Sequence, residues 1–160
     1  MRGARAGSAS DLEALFDAYW PAAYRAAYLV VGDGAAAEDI AQEAFLAAIR
    51  ALDRFDRRRP FGPWLHRIVV NRAIDWARAR SLRAEVGATA EAPAPEHAAD
   101  LSDELMQALH GLSPDHRAVV VLRYLLEYTP GEIAQLLGIP RGTVNSRLRR
   151  ALDQLKGRVE

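Results

Sequence analysis

The chain has 160 residues, half of them hydrophobic, a formal net charge of zero and no cysteine. That is enough apolar material for one ordinary core or two small ones, and it excludes a disordered tail, disulfides, thiolate metal sites and cysteine nucleophiles. No apolar run approaches membrane-spanning length, and a polar stretch rather than a signal core follows Met1-Arg2-Gly3-Ala4-Arg5, so a cytoplasmic protein without membrane insertion is expected.

Strand signals are almost absent, and helical periodicity with cap signals dominates, so the expected fold class is all-α. Ser10-Asp11-Leu12-Glu13 reads as a capping box opening a helix with Leu12, Leu15, Phe16 and Tyr19 on one side. Pro21 is expected to kink or restart it, with apolar spacing resuming through Tyr24, Tyr28 and Val31. Gly32-Asp33-Gly34 breaks the chain, and a helix follows from about Ala35 to Leu52. Residues 56–63, with Pro60 and Pro63, read as a loop before a helix from about Trp64 to Arg80. Residues 84–100 are rich in Ala, Pro and Glu without apolar periodicity, the pattern of a flexible linker. Beyond it four helices are expected: about 101–111; one opening at Ser113-Pro114; one opening at the capping box Thr129-Pro130-Gly131-Glu132; and about 141–156. The architecture is therefore two small helical domains, 10–82 and 101–158, joined by a linker over 83–100. That linker reaches roughly 60 Å when extended at ~3.3 Å per residue.

Zero net charge is a sum of opposed blocks. Residues 1–49 carry 3 basic and 7 acidic side chains, whereas residues 50–83 carry 10 basic and 3 acidic. Residues 84–100 carry 4 acidic and none basic, residues 101–140 carry 2 basic and 5 acidic, and residues 141–158 carry 6 basic and 1 acidic. Phosphate attraction is local, because screening cuts it off beyond about 10 Å. Two basic patches separated by acidic segments thus fit a nucleic-acid partner despite the neutral total.

The last of these patches has a specific form. The helix opening at Thr129, the Gly138 turn and the helix from Arg141 have helix-turn-helix spacing. Stepped at the helical angle, Val144, Leu148, Ala151, Leu152 and Leu155 face inward. Asn145, Ser146, Arg149 and Arg150 face outward, with Arg147 at the margin. Arg149 or Arg150 suits bidentate reading of a guanine edge, while Arg141, Arg147 and the region of the Thr143 amide suit phosphates.

The helix at 35–52 differs. Asp39, Gln42 and Glu43 share a side with Leu46 in its middle. An acidic face with a central leucine repels phosphate, so its partner should be a protein; a stray exposed leucine is the plainer alternative. On the helix at 64–80, Leu65, Val69, Ala73 and Trp76 face inward, while Arg67, Asn71 and Arg78 form an outer row beside Trp64. Arginine, an aromatic ring and an amide together suit unstacked single-stranded bases. They equally suit a solvated basic helix around a core tryptophan.

Four sequence segments carry a family resemblance: Asp39-Ile40-Ala41-Gln42-Glu43-Ala44-Phe45, Phe61-Gly62-Pro63-Trp64-Leu65-His66-Arg67-Ile68-Val69-Val70-Asn71, Leu112-Ser113-Pro114 and Tyr128 to Arg150. Together, over about residues 10–156, the chain resembles bacterial RNA polymerase sigma factors, specifically the extracytoplasmic-function (ECF) group of the sigma-70 family. The resemblance implies a sigma-2-like bundle and a sigma-4-like helix-turn-helix domain, with regions 1.1 and 3 missing. It implies that Asp39, Gln42, Glu43 and Leu46 bind the β′ coiled coil of core polymerase, and that the helices around 113–126 touch the β flap. It implies a −10 set of Arg58, Arg59, Phe61, Trp64, Arg67, Asn71, Arg72 and Arg78, in which Trp64 wedges at the edge of the melted element and Asn71 with the loop 56–63 takes a flipped base. The second aromatic of primary sigma factors is replaced by Leu65, which implies dependence on a close promoter match. The implied −35 set is Arg141, Thr143, Asn145, Ser146, Arg147, Arg149 and Arg150, with Asn145 where relatives often carry Arg. An anti-sigma factor is a further implied partner.

Two other readings fit less of the chain. A stand-alone helix-turn-helix regulator explains the C-terminal helices but leaves the Asp39–Glu43 face and the Trp64–Asn71 row without a role. An enzyme is disfavoured because His66, His97, His110 and His116 are scattered without metal-ligand spacing and no phosphate loop or nucleophile motif occurs. No metal or cofactor is expected.

Overall fold

A computed structural model describes residues 9–85 and 101–159, all helix, turn and loop with no strand among them. The linker reading over 86–100 lies outside the described residues.

Helix α1 (Ala9–Val31) runs unbroken through Pro21. The expected restart does not occur: Pro21 is exposed, and the half of the helix beyond it is held by burial of Ala23, Ala26, Ala27, Tyr28, Leu29, Val30 and Val31. Gly32 then takes φ +70°, a left-handed conformation open to glycine at little cost, and turns the chain. Asp33 caps α2 (Gly34–Arg50) by accepting a hydrogen bond from the Ala36 amide at 3.1 Å. A short 3-10 turn, Leu52–Arg54, leads to α3 (Phe61–Glu85). This helix starts three residues before the expected Trp64 and takes in Gly62 and Pro63. Proline is tolerated there because amides of the first turn have no intrahelical partner.

The second half follows the cap signals closely. Ser102 caps α4 (Asp103–His110) and Ser113, followed by Pro114, caps α5 (Pro114–Val120). α5 continues into a π turn at Val121–Leu125 that periodicity did not anticipate. Thr129 and Glu132 form a reciprocal capping box at the start of α6 (Pro130–Leu137), with bonds of 3.2 and 3.1 Å. Gly138, at φ +66°, ends α6, and α7 (Arg141–Val159) follows.

α1, α2 and α3 pack on one another in the first half, and α5 and α6 each pack on α7 in the second. The halves are also in contact, α3 against α5 and α6, and α1 against α5. This explains a surplus in the core. Leu65, Val69 and Ala73 are buried as expected, but Val70, Ile74 and Ala77 are buried too, covering about half the circumference of α3. Each fully buried Leu or Val contributes about 1.5–3 kcal/mol. The one buried charged side chain among the described residues is Arg117. Its guanidinium donates to the carbonyls of Leu109 (3.1 Å) and Leu112 (3.0 Å) within the second half and to Val30 (2.6 Å) at the end of α1. Burial, with Arg80 adding repulsion, lowers its pKa to about 10, so it remains charged at neutral pH.

Candidate nucleic-acid and protein interfaces

On α2, Asp39, Gln42 and Glu43 are exposed and Leu46 is 52% exposed in their midst. The turn-by-turn burial of Ala37, Ile40, Ala41, Ala44, Phe45 and Ala48 fixes this face outward. Two further apolar groups are open to solvent nearby. Ile49 is 37% exposed, and Phe16, which shares a side of α1 with the buried Leu15, is 38% exposed with its ring 5.1 Å from that of Phe45. Periodicity records only one helix at a time, whereas this surface belongs to two. Glu43 reaches Arg72 of α3 at 3.4 Å, an exposed pair that ties this face to the next helix.

The arginine-aromatic region forms a cleft of about 500 Å³ between the halves, walled by Arg54, Arg59, Trp64 and Arg67 on one side and Tyr128 and Gln135 on the other. Trp64 lies on Phe55, ring centres 4.7 Å apart, and against Phe61 at 5.7 Å. Phe61 itself is buried between Tyr19 (4.8 Å) and Phe55 (5.8 Å). Phe61, expected in the −10 set, is thus buried in this arrangement and packs beneath Trp64. Leu65, at the position of the family's second aromatic, is a core residue with no exposure. Arg58 makes paired bonds to Asp56 at 3.1 and 3.3 Å, and this contact holds the Asp56 carboxyl below its ordinary pKa.

The outer row of α3 is not bare. The Asn71 amide donates to Arg67 O at 2.8 Å and, across to α6, to Leu136 O at 3.1 Å. Arg78 donates to Asp115 of α5, and His66 shares a 2.6 Å hydrogen bond with the Tyr128 hydroxyl. Arg67 and Arg72 are exposed. Two members of the expected single-strand row thus contact the second half in this arrangement.

On α7, Val144, Leu148 and Ala151 are buried, while Leu152 and Leu155 are partly so. Arg141, Asn145, Arg149 and Arg150 are exposed and Thr143, Ser146 and Arg147 half-buried. Arg147 is drawn towards Asp115 at 3.8 Å. The Thr143 amide donates to the Pro140 carbonyl at 3.0 Å. The open face carries three arginines and an asparagine on the first three turns, the part of a recognition helix that enters a major groove.

A recognition helix of this kind, joined to a second basic and aromatic unit, defines the class: a DNA-binding protein of transcription. Similarity narrows it further. Residues 15–83 match Sigma-70 region 2 and residues 102–155 match Sigma-70, region 4. The chain is 36% identical over 159 residues to the ECF RNA polymerase sigma factor SigW of Bacillus subtilis, covering 89% of this chain and 85% of that one. It is 36% identical over 164 residues to SigL of Mycobacterium tuberculosis, covering 98% and 93%. Among solved structures it superimposes with TM-score 0.70 on the sigma factor RpoE of Bartonella quintana, solved with the anti-sigma factor NepR (25% identity; 92% and 95% covered). The TM-score is also 0.70 on CnrH, solved with the cytosolic domain of CnrY (27% identity; 99% and 93% covered). The chain belongs to the sigma-70 family, in its ECF group. It is a transcription-initiation factor, and no helix among the described residues is long and apolar enough to cross a membrane.

Proposed function

We propose a division of labour among four faces of this ECF sigma factor. The α2 face of Asp39, Gln42, Glu43 and Leu46, extended by Ile49 and Phe16, docks on the β′ coiled coil of core RNA polymerase. α5 and the π turn, where Tyr124 is 52% exposed, meet the β flap. α7 reads the −35 duplex through Asn145, Arg149 and Arg150, with Arg141, Thr143, Ser146 and Arg147 beside the backbone. Trp64, Arg58, Arg59, Arg67, Asn71, Arg72 and Arg78 receive the melted −10 strand. Promoter opening follows from capturing unstacked bases, with Trp64 holding the edge of the opened region and the arginines holding phosphates.

The supporting observation is that the acidic-apolar face on α2 and the cationic-aromatic cleft at α3 lie on different helices of one small bundle. One unit can therefore hold a protein and a nucleic acid at once. The protein works in the cytoplasm, and an anti-sigma factor is the expected inhibitor, as the solved relatives are held by NepR and CnrY. Transcription in vitro with core polymerase on a genomic fragment library tests the reading: initiation from a shared two-element promoter is expected, and no factor-dependent initiation would refute it.

A further inference from the structure

Two histidines sit in the seam between the halves, at opposite ends. His66 of α3 is bonded to Tyr128, just before α6. His110 ends α4 and its ring lies directly on Gly32 at the end of α1; a Cβ at position 32 would fall 2.5 Å from the ring. His110 Nε2 is buried and has no hydrogen-bond partner among the described residues. The charged groups that face this ring are Arg117 of α5 and Arg80 of α3. Arg80 is paired with Asp33 at 3.5 Å, and Arg158 of α7 reaches the adjacent Gly111 carbonyl at 3.0 Å. Tyr28 of α1, the nearby phenol, has a pKa raised above its ordinary value, first by burial, with Tyr24 and Asp103 adding to it. Around His66 the titratable neighbour is Tyr128, with Glu132 behind it.

We propose that His66 and His110 form an acid-sensitive clasp: the two halves stay closed while both rings are neutral and part when the rings take up protons. The proposal rests on the closed arrangement of the halves, not on the assignment of promoter contacts. A proton on His110 would enter a site flanked by two guanidinium groups, with a buried nitrogen that nothing accepts from. Parting the seam hydrates the ring instead. It also releases Asn71 from Leu136 and Arg78 from Asp115.

The direction of the pH effect follows from burial, which lowers both histidines, His110 to about 4 with Arg117 and Arg80 adding to it; a backbone hydrogen bond at Leu29 acts the other way. An opened His110 titrates near its ordinary value of about 6.5. Below that value the open form binds more protons than the closed one. Closure is thus at full strength above about pH 6.5 and is lost as the pH falls towards 4. His110 alone shifts the balance towards opening by about thirtyfold between about pH 8 and about pH 5.

The chain has no native cysteine, so Ala22→Cys and Gln154→Cys, both at exposed positions, accept dyes for single-molecule energy transfer on the full chain. The separated population is expected to rise at least about thirtyfold on that pH step. In the His66→Gln/His110→Gln chain the response should flatten. A wild-type population unmoved by pH, or a double variant that keeps the response, would overturn the proposal. NMR titration of the histidine rings in the unaltered chain gives a check independent of variant folding: both rings should titrate below the ordinary value, and a ring titrating at about 6.5 would overturn its place in the clasp.

Discussion

Arg117 Nη1 lies 2.6 Å from the carbonyl oxygen of Val30, so a guanidinium of the sigma-4-like half caps the last turn of a helix in the sigma-2-like half. The C-terminal carbonyls of α1 carry partial negative charge, and this cation meets them in a buried site. The same side chain ties Leu109 and Leu112, so one residue orders both its own half and the seam.

Arg117→Met should therefore lower stability by about 3 kcal/mol, because three buried carbonyls lose a charged donor at once. Urea denaturation followed by circular dichroism measures this. Arg117→Lys should recover only part of the loss, since an ammonium lacks the planar fork that spans three acceptors. A loss under about 1 kcal/mol for the Met variant would show that the three bonds are not a stabilising unit.

Reversing charge on α2 should separate binding from folding. Asp39→Arg with Glu43→Arg places two cations on an exposed face, where stability changes are usually within about 0.5 kcal/mol. Core polymerase affinity should fall by several kcal/mol through like-charge contact and a disrupted face. Co-purification with core polymerase is the measurement, and retained binding would refute the face assignment.

Phe61 and Trp64 should fail in different ways. Phe61→Ala empties a buried aromatic position and should cost about 3–5 kcal/mol in the denaturation midpoint. Trp64→Ala removes a partly exposed ring and should leave a folded protein that binds polymerase but opens promoters poorly. Permanganate footprinting of the −10 region reports that opening directly.

Arg149→Ala should weaken −35 recognition by ~1–3 kcal/mol if the guanidinium reads a base edge. Mobility shift of the holoenzyme on promoters varied at −35 distinguishes base reading from phosphate contact. Uniform weakening across all sequences would assign Arg149 to the backbone.

Local signals were legible along the chain because they depend on a few neighbouring residues. Ser113, Thr129 with Glu132, and Gly138 each punctuate a helix where their chemistry places them. The inward stripe of α7 also follows from spacing alone, as does the exposure of Asp39, Gln42 and Glu43. The failures share a cause: each depends on a second helix. Pro21 remains inside α1 because the residues after it are buried by α2 and α3. Phe61 is buried by Tyr19 and Phe55, 42 and 6 positions earlier in the chain. The acceptor that Arg117 finds at Val30 lies 87 positions away, beyond any local pattern.

Gly32 offers an experimental handle of another kind. Its φ of +70° disfavours any side chain, and its surface is already occupied by the His110 ring. A single methyl group at this position acts as a wedge driven into the seam between the halves. Gly32→Ala substitutes none of the proposed polymerase-facing or DNA-facing side chains, which makes it the least invasive route to a chain held permanently ajar.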